Sequence, residues 1–520
     1  MKTTIIGFAP GGYFGRLVSI DVDIRRGIPG LQIIGLPEGA VREARERVRI
    51  ALSNCGSPLV RQKILVSLGP ADLPKAASGL DLAIALAIMV AGAEAGGDSG
   101  ELGAAGKGAG YDCGILAVGE LGLQGNVLPV RGVLAAADEA GRSGCQQLIV
   151  PLENVDEAAM AGFSALHGVG NLQEAFLHAV GTKAGHPAAL TKSKTFFPRV
   201  RNDGVPHGLG LCSSRSLRAI SIAAAGRHHL ALFGPPGTGK TTAAWQLASL
   251  MPILQHDQAI ETARVYSICG YQIESISAGI PAVRSPHHSA STEGIIGGGR
   301  HLVPGELSLA HNGLLILDEI AEYPRSVLQA LREPLETGWI HLARANTSAD
   351  FPARALVCMT ANLCPCGGYG RPASVCTCSP AEIHRYWRKF GGALLDRIPL
   401  RVVCYPDDDS VEIDFQGVRE LVARAVERQN RRGQAFSNAA TSIDQLVACR
   451  AITEIDLQSA RECAAQNDLS FRAVAQLLQI ARTIADLEDQ QHIQNDYIQE
   501  AATFRTTVRS GNPMEAIAHV

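Results

Sequence analysis

The alternation of hydrophobic and polar positions divides the 520-residue chain into three regions. From residue 1 to about 180, short apolar runs typical of strands, such as 64–68 and 148–150, alternate with helical stretches. The same mixture returns from about 208 to 406. From about 414 onward, apolar residues recur almost only at helical spacing, as in 471–487. The pattern predicts an α/β protein with two mixed regions followed by a helical one.

Two segments interrupt this pattern. Residues 181–206 are crowded with Lys, Arg, Pro and Gly, which is typical of an interdomain linker. Residues 91–110 are rich in Gly and Ala and have too little apolar surface to fold alone, so we expect a mobile loop there. We found no short-period internal repeat.

Composition excludes several classes of protein. Hydrophobic residues make up 46% and charged residues 19% of the chain, which argues against global disorder. The net charge of -3 argues against a generally basic nucleic-acid binder, although a local basic stripe or pore stays open. The most apolar run, 82–91, is shorter than the ~20 residues of a membrane helix, and no targeting signal is evident. We therefore expect a cytoplasmic protein without a membrane partner, whose 13 cysteines are thiols or metal ligands rather than disulfides.

An arginine-rich stretch at 38–53 has helical spacing and contains Arg42, Arg45, Arg47 and Arg49. A solvated helix face is the favoured interpretation, and a nucleic-acid contact is the alternative.

The clearest chemical signal is a phosphate-binding loop of the pattern G-x-x-x-x-G-K-[ST]. An apolar run at 230–233 precedes the loop and a helical stretch at 241–250 follows it, as this motif requires. The glycines let backbone N–H groups face phosphate oxygens, and the helix N-terminus adds partial positive charge. We expect Lys240 to reach the β- and γ-phosphates and Thr241 to ligate Mg²⁺. The predicted nucleotide-binding residues are Gly234, Pro235, Pro236, Gly237, Thr238, Gly239, Lys240, Thr241 and Thr242.

Two further runs end in polar residues that suit ATP hydrolysis. The apolar run 314–317 ends in Asp318 and Glu319, so Asp318 is the predicted Mg²⁺ ligand and Glu319 the residue that polarises the attacking water. The run 355–359 ends near Asn362. A polar side chain between the two strand ends would position that water, and Asn362 is the predicted residue.

Several less common stretches accompany these motifs, namely 284–289, 297–299, 304–313, 331–336 and 394–398. Together with the phosphate-binding loop, they resemble the magnesium-chelatase-like AAA+ ATPases, and within that family the competence-protein (ComM, YifB) type. The resemblance covers nearly the whole chain. It implies a Lon-protease-like domain at 1–182 (a ribosomal-protein-like α+β fold), a linker at 183–207, an AAA+ core with a parallel sheet at 208–406, and a helical lid and tail at 407–520.

The same resemblance implies how the chain assembles. An insertion in the second helix of the core, roughly 280–309, and a hairpin at 338–351 would face the pore of a ring. Arg344 would touch a translocated polymer there, although a structural ion pair is equally open. Arg397 matches the arginine finger that acts on the neighbouring subunit's γ-phosphate, which implies a homo-oligomer, most simply a hexamer. Arg472 matches the lid arginine that contacts the nucleotide of its own subunit.

Four cysteines form two C-x-C pairs, Cys364 with Cys366 and Cys376 with Cys378. Four thiolates suit tetrahedral Zn²⁺, but C-x-C is a tighter spacing than C-x-x-C, so reduced structural thiols are the alternative. A bound metal would brace the loop that follows Asn362. Similar cysteines occur in the resembled family, where Pro usually stands at the position of Leu363.

The N-terminal region lacks the Ser and Lys of a Lon-type protease, in which Ser attacks and Lys is the base. When Lys75 is matched to the family's pattern, Gly79 occupies the nucleophile position and Ala136 the base position. Ser78 is one residue away from the nucleophile position. We therefore predict a non-proteolytic binding or ring-forming module, in which Lys75 has a structural role.

The resemblance implies an ATP- and Mg²⁺-dependent ring motor that acts on branched or single-stranded DNA, as a branch-migration helicase in homologous recombination and natural transformation. The alternatives are a magnesium-chelatase-type ATPase subunit and a protein-remodelling AAA+ ATPase. ATP hydrolysis follows from the residues themselves, whereas the DNA substrate follows from the resemblance alone.

Overall fold

The computed structural model describes residues 4–35, 38–56, 62–70, 78–96, 114–181, 211–300, 302–344, 347–371, 375–405, 410–412 and 414–506. The predicted linker at 183–207, Lys75 and residues 97–110 of the predicted glycine-rich loop lie outside these ranges. The chain divides into two compact units. The first comprises Met1–Phe197, His256–Ala278 and His341–Phe351, and the second comprises Pro198–Gln255, Gly279–Ile340 and Pro352–Val520.

The strands in chain order are β1 Ile5–Gly11, β2 Phe14–Arg25, β3 Gly30–Ile34, β4 Lys63–Gly69, β5 Ile115–Ala117, β6 Glu120–Leu121, β7 Val127–Leu128, β8 Gln147–Pro151, β9 Leu166–Val169, β10 Leu211–Ser213, β11 Leu230–Phe233, β12 Val283–Arg284, β13 Gly297–Gly298, β14 Val303–Pro304, β15 Leu314–Leu317, β16 Trp339–Arg344, β17 Thr347–Pro352, β18 Leu356–Ala361, β19 Leu400–Val403 and β20 Ser410–Glu412.

The helices are α1 Glu38–Asn54, α2 Asp81–Gly96, α3 Val133–Arg142, α4 Val155–Ala159, α5 Leu172–Ala179, α6 Ser214–Gly226, α7 Lys240–Leu250, α8 His256–Cys269, α9 Glu274–Ser277, α10 Thr292–Ile296, α11 Glu306–Leu309, α12 Arg325–Ala330, α13 Pro334–Thr337, α14 Pro380–Phe390, α15 Gly392–Leu395, α16 Phe415–Arg431, α17 Ile443–Ala448, α18 Glu454–Gln466, α19 Phe471–Leu487 and α20 Asn495–Thr506.

The first unit is built on a mixed seven-stranded sheet in the order β3-β4-β2-β1-β5-β8-β9. β2 is antiparallel to both β1 and β4, and the other pairs are parallel. Helix α2 is apolar almost throughout and buried along most of its length, because it packs into the core of this unit on several sides. It continues to Gly96, so the prediction of a loop beginning at residue 91 is wrong for 91–96. The alanines there extend a helix that is already anchored by its apolar first turns.

The arginine-rich stretch forms α1, but its arginines are not all solvated. Arg47 donates to the fully buried carboxylate of Asp81 on α2, with Nε 2.6 Å from Oδ2. Burial raises the pKa of Asp81 to about 6 in spite of this ion pair. Arg45 and Arg49 pair with Glu46 on the exposed face. The prediction of a solvated helix face is therefore wrong at Arg47, whose ion pair connects α1 to α2.

Two segments distant in sequence join the first unit through polar contacts. Arg264 of α8 lies over the ring of Tyr13, with 4.9 Å between the guanidinium carbon and the ring centroid, and forms an ion pair with Asp138 of α3. The backbone N–H of Tyr13 donates to the carbonyl of Asp350 in β17, at 3.2 Å. The predicted hairpin at 338–351 exists as β16 and β17.

The second unit contains a five-stranded parallel sheet in the order β12-β15-β18-β11-β19. Strands β11, β15, β18 and β19 are buried at every position, which is why they read as unbroken apolar runs. The strands predicted at 230–233 and 314–317 are confirmed, and the run at 355–359 forms β18. Because β18 lies between β11 and β15, their carboxyl ends meet at one edge.

The segment that leaves the core is shorter than the predicted insertion at 280–309. Val283 and Arg284 form β12, an edge strand of the main sheet, so only the residues after them leave the core. Those residues form α10, the small hairpin of β13 and β14, and α11.

Within the described residues 414–506, the second unit continues as five helices, α16 to α20. Helix α19 has the bounds that its spacing predicts, 471–487, and its apolar face joins the core around β11. A buried ionic network fixes it: Asp486 accepts from Arg432 at 2.6 and 2.7 Å and from Asn438 at 2.9 Å.

Cys145, at the end of α3, is disulfide-bonded, so the expectation of thiols or metal ligands is wrong at this residue. Composition gives no sign of which cysteines a fold will bring together. Within the described ranges, every helix is too short or too polar to cross a membrane.

Candidate active site

The phosphate-binding loop connects β11 to α7 at the carboxyl edge of the parallel sheet. Its first glycine, Gly234, has φ +155°, and a Cβ there would lie 2.4 Å from the carbonyl oxygen of Cys404. Gly237 and Gly239 have φ of +87° and +78°, in the left-handed region that favours glycine. The sequence pattern therefore reflects both a close approach and two backbone turns, and it places the loop before the N-terminus of α7.

The Lys240 ammonium points back into this loop. Its Nζ donates to the carbonyls of Gly234 at 2.9 Å and Pro235 at 2.8 Å, and to Oδ1 of Asn362 at 3.3 Å. Partial burial lowers the pKa of Lys240. The predicted lysine and the predicted water-positioning asparagine are thus brought together.

The two predicted Mg²⁺ ligands are also neighbours. The Thr241 hydroxyl donates to the carboxylate of Asp318, at 3.0 Å from Oδ1 and 3.2 Å from Oδ2. Oxygen donors of this kind are what Mg²⁺ prefers, and these two lie beside the phosphate-binding loop. Glu319 follows with φ +51°, a left-handed conformation that is rare for a residue with a side chain.

Thr360, which sequence reasoning missed, holds this acidic pair in place. Its hydroxyl donates to Oδ1 of Asp318 at 2.5 Å and accepts from the backbone N–H of Glu319 at 3.0 Å. Thr360 is 1% exposed. The signal was a hydroxyl residue inside the apolar run of β18, beside a strand that ends in two carboxylates.

Helix α14 fixes the chain at Asn362 and at the residue that follows it. The Tyr386 hydroxyl donates to the carbonyl of Asn362 at 3.0 Å, and the Trp387 indole donates to the carbonyl of Leu363 at 3.0 Å. Trp387 is buried and its ring centroid lies 5.0 Å from that of Phe233. Asn362 therefore sits on a rigid base.

The two predicted arginines, Arg397 and Arg472, bind one carboxylate. Glu336 accepts from Arg397 through Oε2 and from Arg472 through Oε1, and these contacts hold its pKa below the usual range. Arg397 also donates to the carbonyl of Ala393 at 2.6 Å. All three charged residues line one surface cavity. Glu336 was not predicted as a site residue, although it ends the 331–336 stretch.

The four predicted cysteines converge. Their sulfur atoms all lie within 4.8 Å of one another. The Sγ atom of Cys364 is 3.4 Å from that of Cys366 and 3.6 Å from that of Cys376. Thiolates around one tetrahedral Zn²⁺ are about 3.8 Å apart, so this set fits the metal. A backbone N–H from Gly368 is the main cause that lowers the pKa of Cys366 to about 5, which favours the thiolate that metals bind.

The two positions matched to a protease dyad carry no reactive group. Gly79 lies in a 3-10 turn with open space where a Cβ would stand, and Ala136 is fully buried in α3. Ser78 precedes Gly79 in the same turn.

A glycine loop and lysine at the edge of a parallel sheet, with two acids and an asparagine beside them, define a P-loop nucleoside-triphosphatase. Three family models match the chain: magnesium chelatase subunit ChlI over residues 211–410, subunit ChlI of Mg-chelatase over 20–154, and the C-terminal part of subunit ChlI over 414–505.

Whole-chain relatives agree with these models. YifB of Escherichia coli (strain K12) is 35% identical over 506 residues, covering 95% of this chain and 94% of that protein. Rv2897c of Mycobacterium tuberculosis is 35% identical over 517 residues, covering 95% and 97%. The competence protein ComM of Haemophilus influenzae is 34% identical over 502 residues, covering 95% of each. The chain belongs to the magnesium-chelatase-like family of YifB and ComM, which supports an ATPase of the AAA+ type.

Proposed function

We propose that this protein is a ring-forming, ATP-hydrolysing motor that moves DNA, as a branch-migration helicase. The observation that carries the ATPase part is the meeting of Lys240, Asn362, Thr241, Asp318 and Glu319 at one sheet edge. The ring rests on the arginine pair at Glu336. The DNA substrate rests on two exposed hairpins and on a relative that is a competence protein.

In the proposed reaction, the Lys240 ammonium gives up its hydrogen bonds to two loop carbonyls and donates to the β- and γ-phosphate oxygens of ATP. Thr241 and Asp318 would hold Mg²⁺, and a bound Mg²⁺ would supply positive charge beside the phosphates. Glu319 accepts the proton of the attacking water, and Asn362 orients that water. The left-handed backbone of Glu319 and the hydrogen bond from its N–H to Thr360 fix the direction in which its side chain leaves the backbone.

The Glu319→Gln variant tests this assignment. It keeps the phosphate loop and the Mg²⁺ ligands, so it should bind ATP as the natural chain does and scarcely hydrolyse it. Near-normal turnover would remove Glu319 from its role.

Arg397 and Arg472 support an assembly in which one subunit completes the site of another. Because they share the Glu336 carboxylate, their two positive charges are presented together on one surface. An anion of higher charge, such as a terminal phosphate, would compete with Glu336 for both. The shared carboxylate favours joint action of Arg397 and Arg472 on one phosphate bound by a neighbouring subunit. This proposal replaces the contact with its own subunit's nucleotide that the resemblance implies for Arg472. A hexamer is the proposed ring.

Two exposed hairpins are the proposed DNA contacts, each on its own unit. Arg344 ends β16 at the tip of the β16–β17 hairpin, and Arg300 follows β13 in the β13–β14 hairpin; both are exposed. Val303 beside the second tip is 51% exposed. Basic and apolar tips of this kind suit a phosphate backbone and stacked bases. The named relative that is a competence protein supports DNA as the substrate.

The N-terminal unit is proposed to be a Lon-like module that binds or forms the ring without cutting peptides. Gly79 and Ala136 supply neither nucleophile nor base. The cytoplasm is its proposed compartment.

We propose a Zn²⁺ ion whose ligands are Cys364, Cys366, Cys376 and Cys378. The support is the convergence of four sulfur atoms with spacing close to that of a tetrahedral site.

The DNA proposal is tested by ATPase rates with and without branched DNA, together with gel shifts at two salt concentrations. Stimulation with salt-sensitive binding is expected, because phosphate contacts release counterions. Arg344→Ala and Arg300→Ala should each lose stimulation while keeping basal hydrolysis, and Arg431→Ala, an exposed arginine of α16, is the matched control.

A magnesium-chelatase-type ATPase subunit is the second candidate, favoured by the descriptions of all three family models. An ATPase that neither binds DNA nor responds to it would move the proposal to this candidate or to protein remodelling.

A further inference from the structure

The residues around the four cysteines, 363–371 and 375–378, lie against the phosphate-binding loop; we call them the cysteine loop. A Cβ on Gly367 would stand 2.9 Å from Cγ of Pro236, so the Gly367 backbone packs closely against the Pro236 ring. The Arg371 guanidinium donates to the carbonyl of Pro236 at 3.3 Å. Gly370 lies beside Pro235, with 3.8 Å between Cδ of that proline and a Cβ built on the glycine. The cysteine loop therefore covers the outer side of the two prolines.

The other end of the cysteine loop is anchored to the catalytic strand. Leu363 is held by the Trp387 indole, and the first thiol, Cys364, stands two residues after Asn362. Asn362 in turn contacts Lys240. The cysteine loop thus touches the phosphate-binding loop at Pro235 and Pro236, and it directly follows Asn362, the residue that contacts Lys240.

The arm that continues from Asn362 is anchored by the buried Leu363 and Cys364, whereas the returning arm has little buried apolar surface. Val375, at its start, is 89% exposed. Cys364 and Cys366 belong to the arm that continues from Asn362, whereas Cys376 and Cys378 belong to the returning arm. A metal bound by all four sulfur atoms would tie the arms together, and such a bond contributes folding energy directly.

We propose that the cysteine loop is a metal-dependent clamp on the phosphate-binding loop, in which Zn²⁺ at the four cysteines raises the affinity for nucleotide. The metal fixes Gly367 and Arg371 against Pro236, and this preorganises the loop that receives the phosphates. Preorganisation strengthens binding because less conformational freedom is lost when the ligand arrives. This inference rests on the proposed ATP and Zn²⁺ sites.

The test measures zinc content and nucleotide affinity of the full chain separately. The natural protein should carry about one zinc ion per chain. The Cys376→Ser/Cys378→Ser variant should lose the metal and bind a fluorescent ADP analogue on the order of tenfold more weakly. The Cys449→Ser variant, whose thiol lies in the helical region, controls for loss of a thiol and should change neither quantity.

A second variant tests the clamp without removing a cysteine, in case the double variant does not fold. Arg371→Ala removes the hydrogen bond to Pro236 and leaves all four cysteines, so it should keep zinc and still bind the analogue several-fold more weakly. Extraction of zinc from the natural protein with a chelator that spares Mg²⁺ should weaken binding, and added Zn²⁺ should restore it.

The outcomes separate this inference from the proposed function. If the natural protein binds no nucleotide, the proposed ATPase fails. If it binds nucleotide but carries no zinc, or if zinc removal and Arg371→Ala both leave the affinity unchanged, the clamp is wrong and the ATPase stands.

Discussion

Arg397 and Arg472 share one carboxylate: Glu336 accepts from the first through Oε2 and from the second through Oε1. Arg397 follows α15 just before the last strand of the parallel sheet, and Arg472 lies in the first turn of α19. The contact brings two positive charges from distant parts of the chain to one place. That place is accessible, because all three side chains line a surface cavity.

The first prediction concerns which nucleotide these arginines serve. Arg397→Ala and Arg472→Ala should each abolish ATP hydrolysis. Mixing either variant with Glu319→Gln chains, which keep both arginines, should restore activity, because an intact arginine pair would then face a working site. Rescue of Arg397→Ala without rescue of Arg472→Ala, in rings confirmed to be mixed, would return Arg472 to the nucleotide of its own subunit.

The second prediction concerns Glu336 itself. Glu336→Gln removes the carboxylate that competes with phosphate for the two arginines, so half-maximal ATPase should need about two- to fivefold less ATP, as expected from one or two exposed ion pairs. The maximal rate should change little. Glu333→Gln, an exposed glutamate one helical turn earlier, is the matched control. A collapse of the maximal rate would instead make Glu336 essential for aligning the arginines.

Thr360 gives the third prediction. Thr360→Val keeps the shape of the side chain but removes the hydroxyl that bonds Asp318 and the N–H of Glu319. A buried group left without its partner costs about 1–3 kcal/mol, so the ATPase rate should fall by about tenfold or more and its Mg²⁺ requirement should rise. Thr360→Ser should retain most activity. Equal loss in both variants would point to packing rather than to the hydroxyl.

The fourth prediction concerns the buried pair of α1 and α2. Arg47→Ala leaves Asp81 without its cation and should destabilise this region by about 3 kcal/mol, seen as faster amide hydrogen exchange in α1 and α2. Arg49→Ala, which breaks only an exposed pair, should cost less than about 1 kcal/mol.

The cost of Arg47→Ala should depend on pH. Burial raises the pKa of Asp81 to about 6, above the ~3.9 of an unfolded aspartate, so between these values the folded state binds more protons than the unfolded state. Protonation of Asp81 therefore favours the folded state as the pH falls through about 6. The penalty of Arg47→Ala should shrink from about pH 7.5 to about pH 5. A penalty that does not change with pH would mean that an uncompensated charge is not its cause.

The parts of the site that are local in sequence could be predicted, and those that depend on long-range contact could not. The glycines and Lys240 follow one another, and Asp318 and Asn362 each end an apolar strand, so parallel pairing alone brings them together. Glu336 had no such local signal, because its partners come from other elements of the second unit. The signal at Thr360, a hydroxyl inside an apolar run, did not show which carboxylate it would contact. Arg47 was misjudged for the same reason: its partner Asp81 lies on a different helix.

Fold boundaries follow the same rule. The spacing of α19 predicted its limits because apolar residues recur along its whole length, although its second half is buried on every side. The true end of α2 and the place of β12 in the main sheet depend on what packs beside them. Nothing in the sequence indicated that residues 256–278 and 341–351 join the N-terminal unit.

Conversion of a synthetic four-way DNA junction by the full chain and ATP shows whether this ATPase moves DNA. We expect ATP-dependent conversion of the junction to separate duplexes, no conversion with Glu319→Gln, and reduced conversion with Arg344→Ala at unchanged basal ATPase. A natural protein that hydrolyses ATP vigorously yet leaves the junction intact, and whose rate ignores DNA, would contradict the claim that this ATPase moves DNA.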